Sequence, residues 1–169
     1  SLAGVFKYHK RIVMEDNQRT ELGNLGEFEL INRLISNFET VNPSTVKSVG
    51  DDGAVIDYEE GQQVVVSTDL LIENIHFDLM YMPLQHLGSK SVAVNLSDIY
   101  AMNATPRQIT VSIGVSNRFS LESLDELYEG IRAACNRYGV DLVGGDTSSS
   151  NKGLIISITA IGHAPKEDI

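Results

Sequence analysis

Four aspartates in this chain stand where a backbone turns or closes on a ligand. Asp52 lies in Gly50-Asp51-Asp52-Gly53, Asp69 follows Ser67-Thr68 after three consecutive valines, Asp98 ends Asn95-Leu96-Ser97-Asp98, and Asp146 sits in Gly144-Gly145-Asp146-Thr147. Each is flanked by Gly, Ser, Thr or Asn, which bend sharply or leave room beside the main chain. Carboxylates are hard oxygen ligands, and with a single cysteine and no Cys/His cluster the set suits Mg2+ or Mn2+ better than zinc. Taken singly, any one of them reads equally as a solvated turn cap; the repetition of the setting is what makes them a set and suggests one shared cation site.

Other residues narrow the chemistry. Gly144-Gly145-Asp146-Thr147 has the composition either of a phosphate-wrapping backbone or of a tight turn. No GxxxxGK[ST] occurs, which excludes a P-loop, and the acids miss the alternating spacing of a calcium loop. His76, beyond Asp69, has the chemistry to contact a substrate phosphate or carry a proton, though its place between Ile75 and Phe77 also fits a half-buried structural histidine. With no nucleophile elbow, covalent catalysis has no support. Phosphoryl transfer needs none, because positioning and charge neutralisation supply most of its acceleration.

Charge sets a condition on any such ligand. The chain carries 13 basic and 23 acidic residues, a formal net charge of −10, which argues against nucleic acid as a partner. Two like charges ~4 Å apart repel by roughly 4 kcal/mol at an effective dielectric near 20, so an aspartate-lined site needs divalent metal to hold a nucleotide. The 42% apolar content is that of a soluble globular chain of 169 residues, enough for one domain. No apolar run approaches the ~18 residues of a membrane helix and no signal-peptide core is present, so a cytoplasmic protein is expected.

The elements that must position these residues follow from periodicity. Residues 1–25 read as a partly irregular extension. Phe28, Ile31, Leu34, Ile35 and Phe38 recur at helical spacing from Gly26 to about Asn37. Short strands are expected over Thr45–Val49 and Ala54–Tyr58, and a strand buried on both faces through Val64–Val66, ending at Asp69. Leu84–Met102 reads as a helix with Ser91, Asn95 and Asp98 on a polar stripe and Val92, Val94, Leu96 and Ile99 packed inward. Gln108–Val115 alternates as a half-buried strand. Ser120 caps a helix whose stripe runs from Leu121 to Tyr138 and stops at Gly139, making Cys135 core rather than reactive. Strands at Asp141–Val143 and Leu154–Ile161 complete an α+β fold, a sheet with helices packed on one face. Residues 26–163 form the domain, with 164–169 the start of a linker.

Together GDDGAVI, VSTDLLIENIHF, AVNLSDIYAMNATP and LVGGDTS, spread in order over Gly26 to Gly162, resemble the thiamine-monophosphate kinases, within the ATP-binding superfamily of aminoimidazole ribonucleotide synthetase. The resemblance implies a mixed-sheet amino-terminal domain that dimerises through its sheet, with ATP held over several Mg2+ ions. It implies Asp52, Ser67, Thr68, Asp69, Asp98 and Asp146 as metal ligands, Gly145 and Asp146 at ATP, and His76 at thiamine monophosphate. The implied reaction is direct in-line transfer of the γ-phosphoryl group, giving thiamine diphosphate. Family members carry a second domain that is absent here, so the chain is expected to be an amino-terminal half with little turnover by itself. Selenophosphate synthetase fits less well, since no cysteine precedes Cys135; aminoimidazole ribonucleotide synthetase shares the acids but not the STDLLIENIHF wording. A non-catalytic dimerisation or metal-binding module is the reading from another class.

Overall fold

A computed structural model of the protein describes residues 19–169, so most of the expected extension over 1–25 lies outside the described residues. The elements are α1 (Glu27–Ile35), β1 (Thr45–Lys47), β2 (Val55–Ile56), β3 (Gln62–Ile72), α2 (Leu84–Ala101), β4 (Thr105–Val115), α3 (Leu121–Tyr138), β5 (Asp141–Ser149) and β6 (Leu154–Pro165), with 3-10 turns at Leu22–Asn24 and Lys166–Asp168. A four-stranded sheet in the order β3-β6-β4-β5 is antiparallel except for the parallel β4–β5 pair, while β1 and β2 form a separate ribbon. Sheet and helices are the mixed α+β arrangement expected from the periodicities.

Alternation along β6 shows how the layers form. Leu154, Ile156, Ile158 and Ala160 are buried and the residues between them half exposed, so the sheet has one covered and one open face. Ile109, Val111, Ile113 and Val115 of β4 join the covered face opposite β6. There α2 packs on the sheet and α3 packs on α2. Ser120 starts α3 by accepting a hydrogen bond from the Ser123 amide at 3.2 Å, and Gly139 ends it in a left-handed conformation (φ 65°) that a β-carbon would disfavour.

Four expectations are corrected. The valine strand is an edge strand open on one face: Val66 is 61% exposed, Val64 and Leu70 also point out, and the strand runs past Asp69 to Ile72 because β6 continues to pair with it. In α1 the buried residues are Leu30 and Leu34, and Phe28 is 83% exposed, since the helix turns a different stripe toward α3. In α2, Ser91 and Asn95 are fully buried, the Ser91 hydroxyl donating to the Leu87 carbonyl (2.7 Å) and the Asn95 Nδ2 to the Ser91 carbonyl (2.9 Å) while Asn95 Oδ1 has no partner among the described residues, and Val94 faces out; Asp98 is exposed, as the helical spacing implied. Finally β6 runs to Pro165, opposite Gln62, so residues 164–165 belong to the sheet rather than to a linker.

Ahead of α3, the hydroxyl of Thr20 (2.7 Å) and its amide (3.0 and 3.2 Å) donate to the Glu122 carboxylate. These bonds, the hydroxyl foremost, hold the Glu122 carboxyl at about 2, below its ordinary 4.5. A depressed folded-state pKa stabilises above the unfolded value and stops doing so as pH falls through the folded one. Acidification from 4.5 toward 2 is therefore expected to release Thr20, seen as a shift of its amide resonance in that window; Glu122→Gln should erase the pH dependence, and an unmoved resonance in the native chain would contradict the contact.

Candidate functional site

The first group of acids is assembled by a buried carboxylate. Asp141 opens β5 with no exposed surface and accepts from the amides of Val41 (2.8 Å) and Asn42 (3.0 Å) and from the Thr45 hydroxyl (2.6 Å). A buried charge is tolerated only when so paired. Ser48 adds a bond to the Leu142 carbonyl at 3.0 Å, so the β1–β2 ribbon is docked on the β5 edge. The loop between β1 and β2 is thereby carried across that edge, bringing Asp52 to the same cavity as Asp146. The cavity, of about 670 Å³, has an apolar wall including Phe28, Ile31 and Tyr128 and a rim including Asp51, Asp52 and Gly145-Asp146.

Asp146 reaches that rim through a β-bulge. Ile109 pairs with Leu142 but Thr110 pairs with Gly144, leaving Val143 as the extra residue. Because side chains alternate, this one-residue slip places Asp146 beside Ser112 on the open face instead of the covered one. The Gly144-Gly145-Asp146-Thr147 stretch is thus strand rather than a tight turn, and Gly145 is pressed on β4: a β-carbon there would lie 1.8 Å from the Val111 carbonyl oxygen.

The second group lies on the opposite sheet edge. Ser67, Asp69 and Leu71 stand opposite Ala160, Ile158 and Ile156 and so point to the helix-covered side, where the Ser67 hydroxyl donates to Asp98 at 3.0 Å. Thr68 points to the open side, donating to the Ile158 carbonyl and accepting from Thr159, both at 3.2 Å. Asp146 lies level with Leu70 but three strands away, about 14 Å by strand spacing. One chain therefore brings together Asp52 with Asp146, and Ser67 with Asp98 and Asp69, without merging the two groups. Among the described residues no three acid, histidine or cysteine side chains cluster as a metal cage. His76 is exposed in the turn after β3, where its Nδ1 accepts from the Ile72 amide at 3.0 Å.

Residues 50–164 match the family described as AIR synthase related protein, N-terminal domain. The chain belongs to that family. Among its relatives, the thiamine-monophosphate kinase of Bacillus subtilis (strain 168) is 35% identical over 143 residues, 84% of this chain and 43% of that protein. The crystal structure of thiamine-monophosphate kinase from Stenotrophomonas maltophilia K279a superposes with a TM-score of 0.70 at 30% identity, covering 84% of this chain and 43% of that one. AaThiL complexed with AMPPCP and TMP superposes with a TM-score of 0.59 at 30% identity over 86% of this chain and 44% of that one. This AIR synthase-related domain spans less than half the length of those relatives.

Sequence reasoning missed the parts of this domain that hold the site rather than form it. Asp141 carried one signal, a charge opening the apolar run Leu142-Val143. Phe28, legible only as one of the apolar positions at helical spacing, is a cavity wall. Cys135 is buried as expected, and burial, with Asp141 nearby, pushes its thiol up to about 12. It is expected to resist thiol reagents in the native domain and to react fully once denatured; rapid native labelling would show the α3 stripe to be looser than described.

Proposed function

We propose that this chain is the amino-terminal part of a thiamine-monophosphate kinase, which transfers the γ-phosphoryl group of ATP directly in line to thiamine monophosphate and yields thiamine diphosphate. The observation that carries this is the cavity at the β5 edge: an apolar wall suited to a purine base and an acidic rim suited to metal-bridged phosphates, in a chain whose relatives bear that name. Gly145 and Asp146 would meet ATP, and His76 would present Nε2–H to an oxygen of thiamine monophosphate.

The donors suit magnesium, which keeps several waters and takes one or two carboxylates together with substrate phosphates. When bound, separate Mg2+ ions would be held by the Asp52–Asp146 group and by the Ser67–Asp69–Asp98 group, with Thr68 offering an oxygen on the open face, and would neutralise the phosphate charge. The carboxylates of Asp52 and Asp69 engage no hydrogen bond among the described residues, so they are available for it. No phosphoenzyme is required, and the chain's own task is to orient donor and acceptor.

The open sheet face supports a homodimer as the working unit. Val64, Val66 and Leu70 there would be covered by a second copy, and a two-fold axis along the strands would set the β3 edge of one copy against the β5 edge of the other. Among the described residues no helix is long and apolar enough to cross a membrane, and we place the enzyme in the cytoplasm. Calorimetric titration of the 169-residue chain with an ATP analogue tests the site: heat is expected only with Mg2+ present, with little turnover from this part alone. Absence of metal-dependent heat favours a non-catalytic module. Robust thiamine monophosphate conversion by this chain would overturn the half-enzyme reading, and a preference of the complete protein for formylglycinamidine ribonucleotide would overturn the substrate.

A further inference from the structure

The turn that carries His76 is built around a carboxylate that the proposed reaction does not use. Glu73 follows β3 directly, and its side chain is 5% exposed. Its Oε2 accepts from the Leu154 amide at 2.8 Å while its own amide donates to the Leu154 carbonyl at 3.0 Å, so side chain and backbone together extend the β3–β6 ladder by one rung. The other oxygen, Oε1, is paired with the Arg118 guanidinium. Gly153 makes room for this: it has φ +72°, and a β-carbon there would stand 2.5 Å from Glu73 Oε2. Beyond Glu73 the chain doubles back with Asn74 at φ 65°, the Asn74 amide donating to the Phe77 carbonyl (2.8 Å) and the His76 amide to the Ile72 carbonyl (2.9 Å). That geometry is what lets the Ile72 amide reach His76 Nδ1.

We infer that Glu73, locked by Arg118 and the Leu154 amide, is a positioning residue that fixes the 73–77 turn and so commits His76 to the tautomer presenting Nε2–H outward. Two charges are involved and only one is buried, so the pair acts as an anchor pulled in from the surface by Arg118 rather than as a core ion pair. A neutral imidazole with Nδ1 occupied is a fixed single donor, suited to an anionic oxygen of an acceptor and unable to accept from it at Nε2. The role of the acceptor in this inference rests on the kinase reading; the tautomer and the turn do not.

The experiment has two arms. In the 169-residue chain, 15N-histidine spectra report which imidazole nitrogen carries the proton; Nε2–H is expected at His76 in the native sequence, with Glu73→Ala giving averaged tautomer signals. In the complete kinase, Glu73→Ala is expected to raise KM for thiamine monophosphate by about tenfold to a hundredfold while KM for ATP stays within about twofold, since a displaced contact near 1 Å has costs of that order. Glu73→Gln retains an acceptor for the Leu154 amide and should recover part of the effect, and Gly153→Ala, which crowds the same oxygen, should reproduce it. Should any of these variants fail to fold, Arg118→Ala perturbs the same anchor from the exposed side. An unchanged His76 tautomer in Glu73→Ala or Arg118→Ala overturns the inference, as does an equal rise in both KM values. If the complete protein does not phosphorylate thiamine monophosphate, the kinase reading falls and the spectra alone decide the positioning role.

Discussion

Replacing Gly130 with alanine is expected to destabilise the fold by about 3 kcal/mol, lowering Tm by roughly 6–12 °C for a chain of this size. In an isolated helix the same change would gain about 1 kcal/mol, so the sign itself is diagnostic. It reverses here because α2 and α3 touch backbone to backbone: a β-carbon on Gly130 would lie 1.8 Å from the Gln85 carbonyl oxygen, and one on Gly88 would lie 2.1 Å from that of Leu127. Backbone cannot rotate out of the way as a side chain would, so the helices must part and the Leu124, Leu127 and Ile131 layer loses contact with α2. A thermal melt of Gly130→Ala checks this directly, and a Tm at or above that of the native chain would mean the two helices are further apart than described.

Asp69→Asn is expected to reduce kcat of the complete kinase by roughly a thousandfold, about 4 kcal/mol of transition-state stabilisation, while changing stability by less than about 1 kcal/mol. The two halves of this forecast come from one observation. Asp69 is partly exposed on an edge strand with no hydrogen bond to its carboxylate among the described residues, so the fold does not lean on its charge, and removing it relieves repulsion toward Asp98. Any role for the charge is then in holding metal. Parallel measurements of turnover and of the denaturation midpoint decide it: near-native turnover would remove Asp69 from the metal site, and a large stability loss would reassign it to structure.

The order of elements could be read from the chain because period 3.6 and period 2 are local properties, plainest in Leu121–Tyr138 and Gln108–Val115. What could not be read was pairing. Nothing in Val64-Val65-Val66 says that only one face of the sheet will be covered by a helix, so the exposure of Val64 and Val66 depends on where α2 packs. The burial of Ser91 and Asn95 was hidden for a similar reason: α2 is covered by the sheet and by α3, a wider arc than one stripe, and the Ser91 hydroxyl and Asn95 Nδ2 can donate to carbonyls of their own helix. The acids were legible as a set of types and settings. Their separation into an Asp52–Asp146 group and a Ser67–Asp69–Asp98 group was not, because it depends on sheet order and on the extra residue at Val143.

That extra residue also bears on how the sequence can drift. Surface connections usually absorb insertions and deletions with little harm, and here a strand can do so too: without Val143 the ladder would run regularly from Leu142 opposite Ile109 to Asp146 opposite Ser112, leaving Asp146 on the open face. The bulge thus gives this segment one residue of slack in length, while the side on which Asp146 emerges depends on its register with β4.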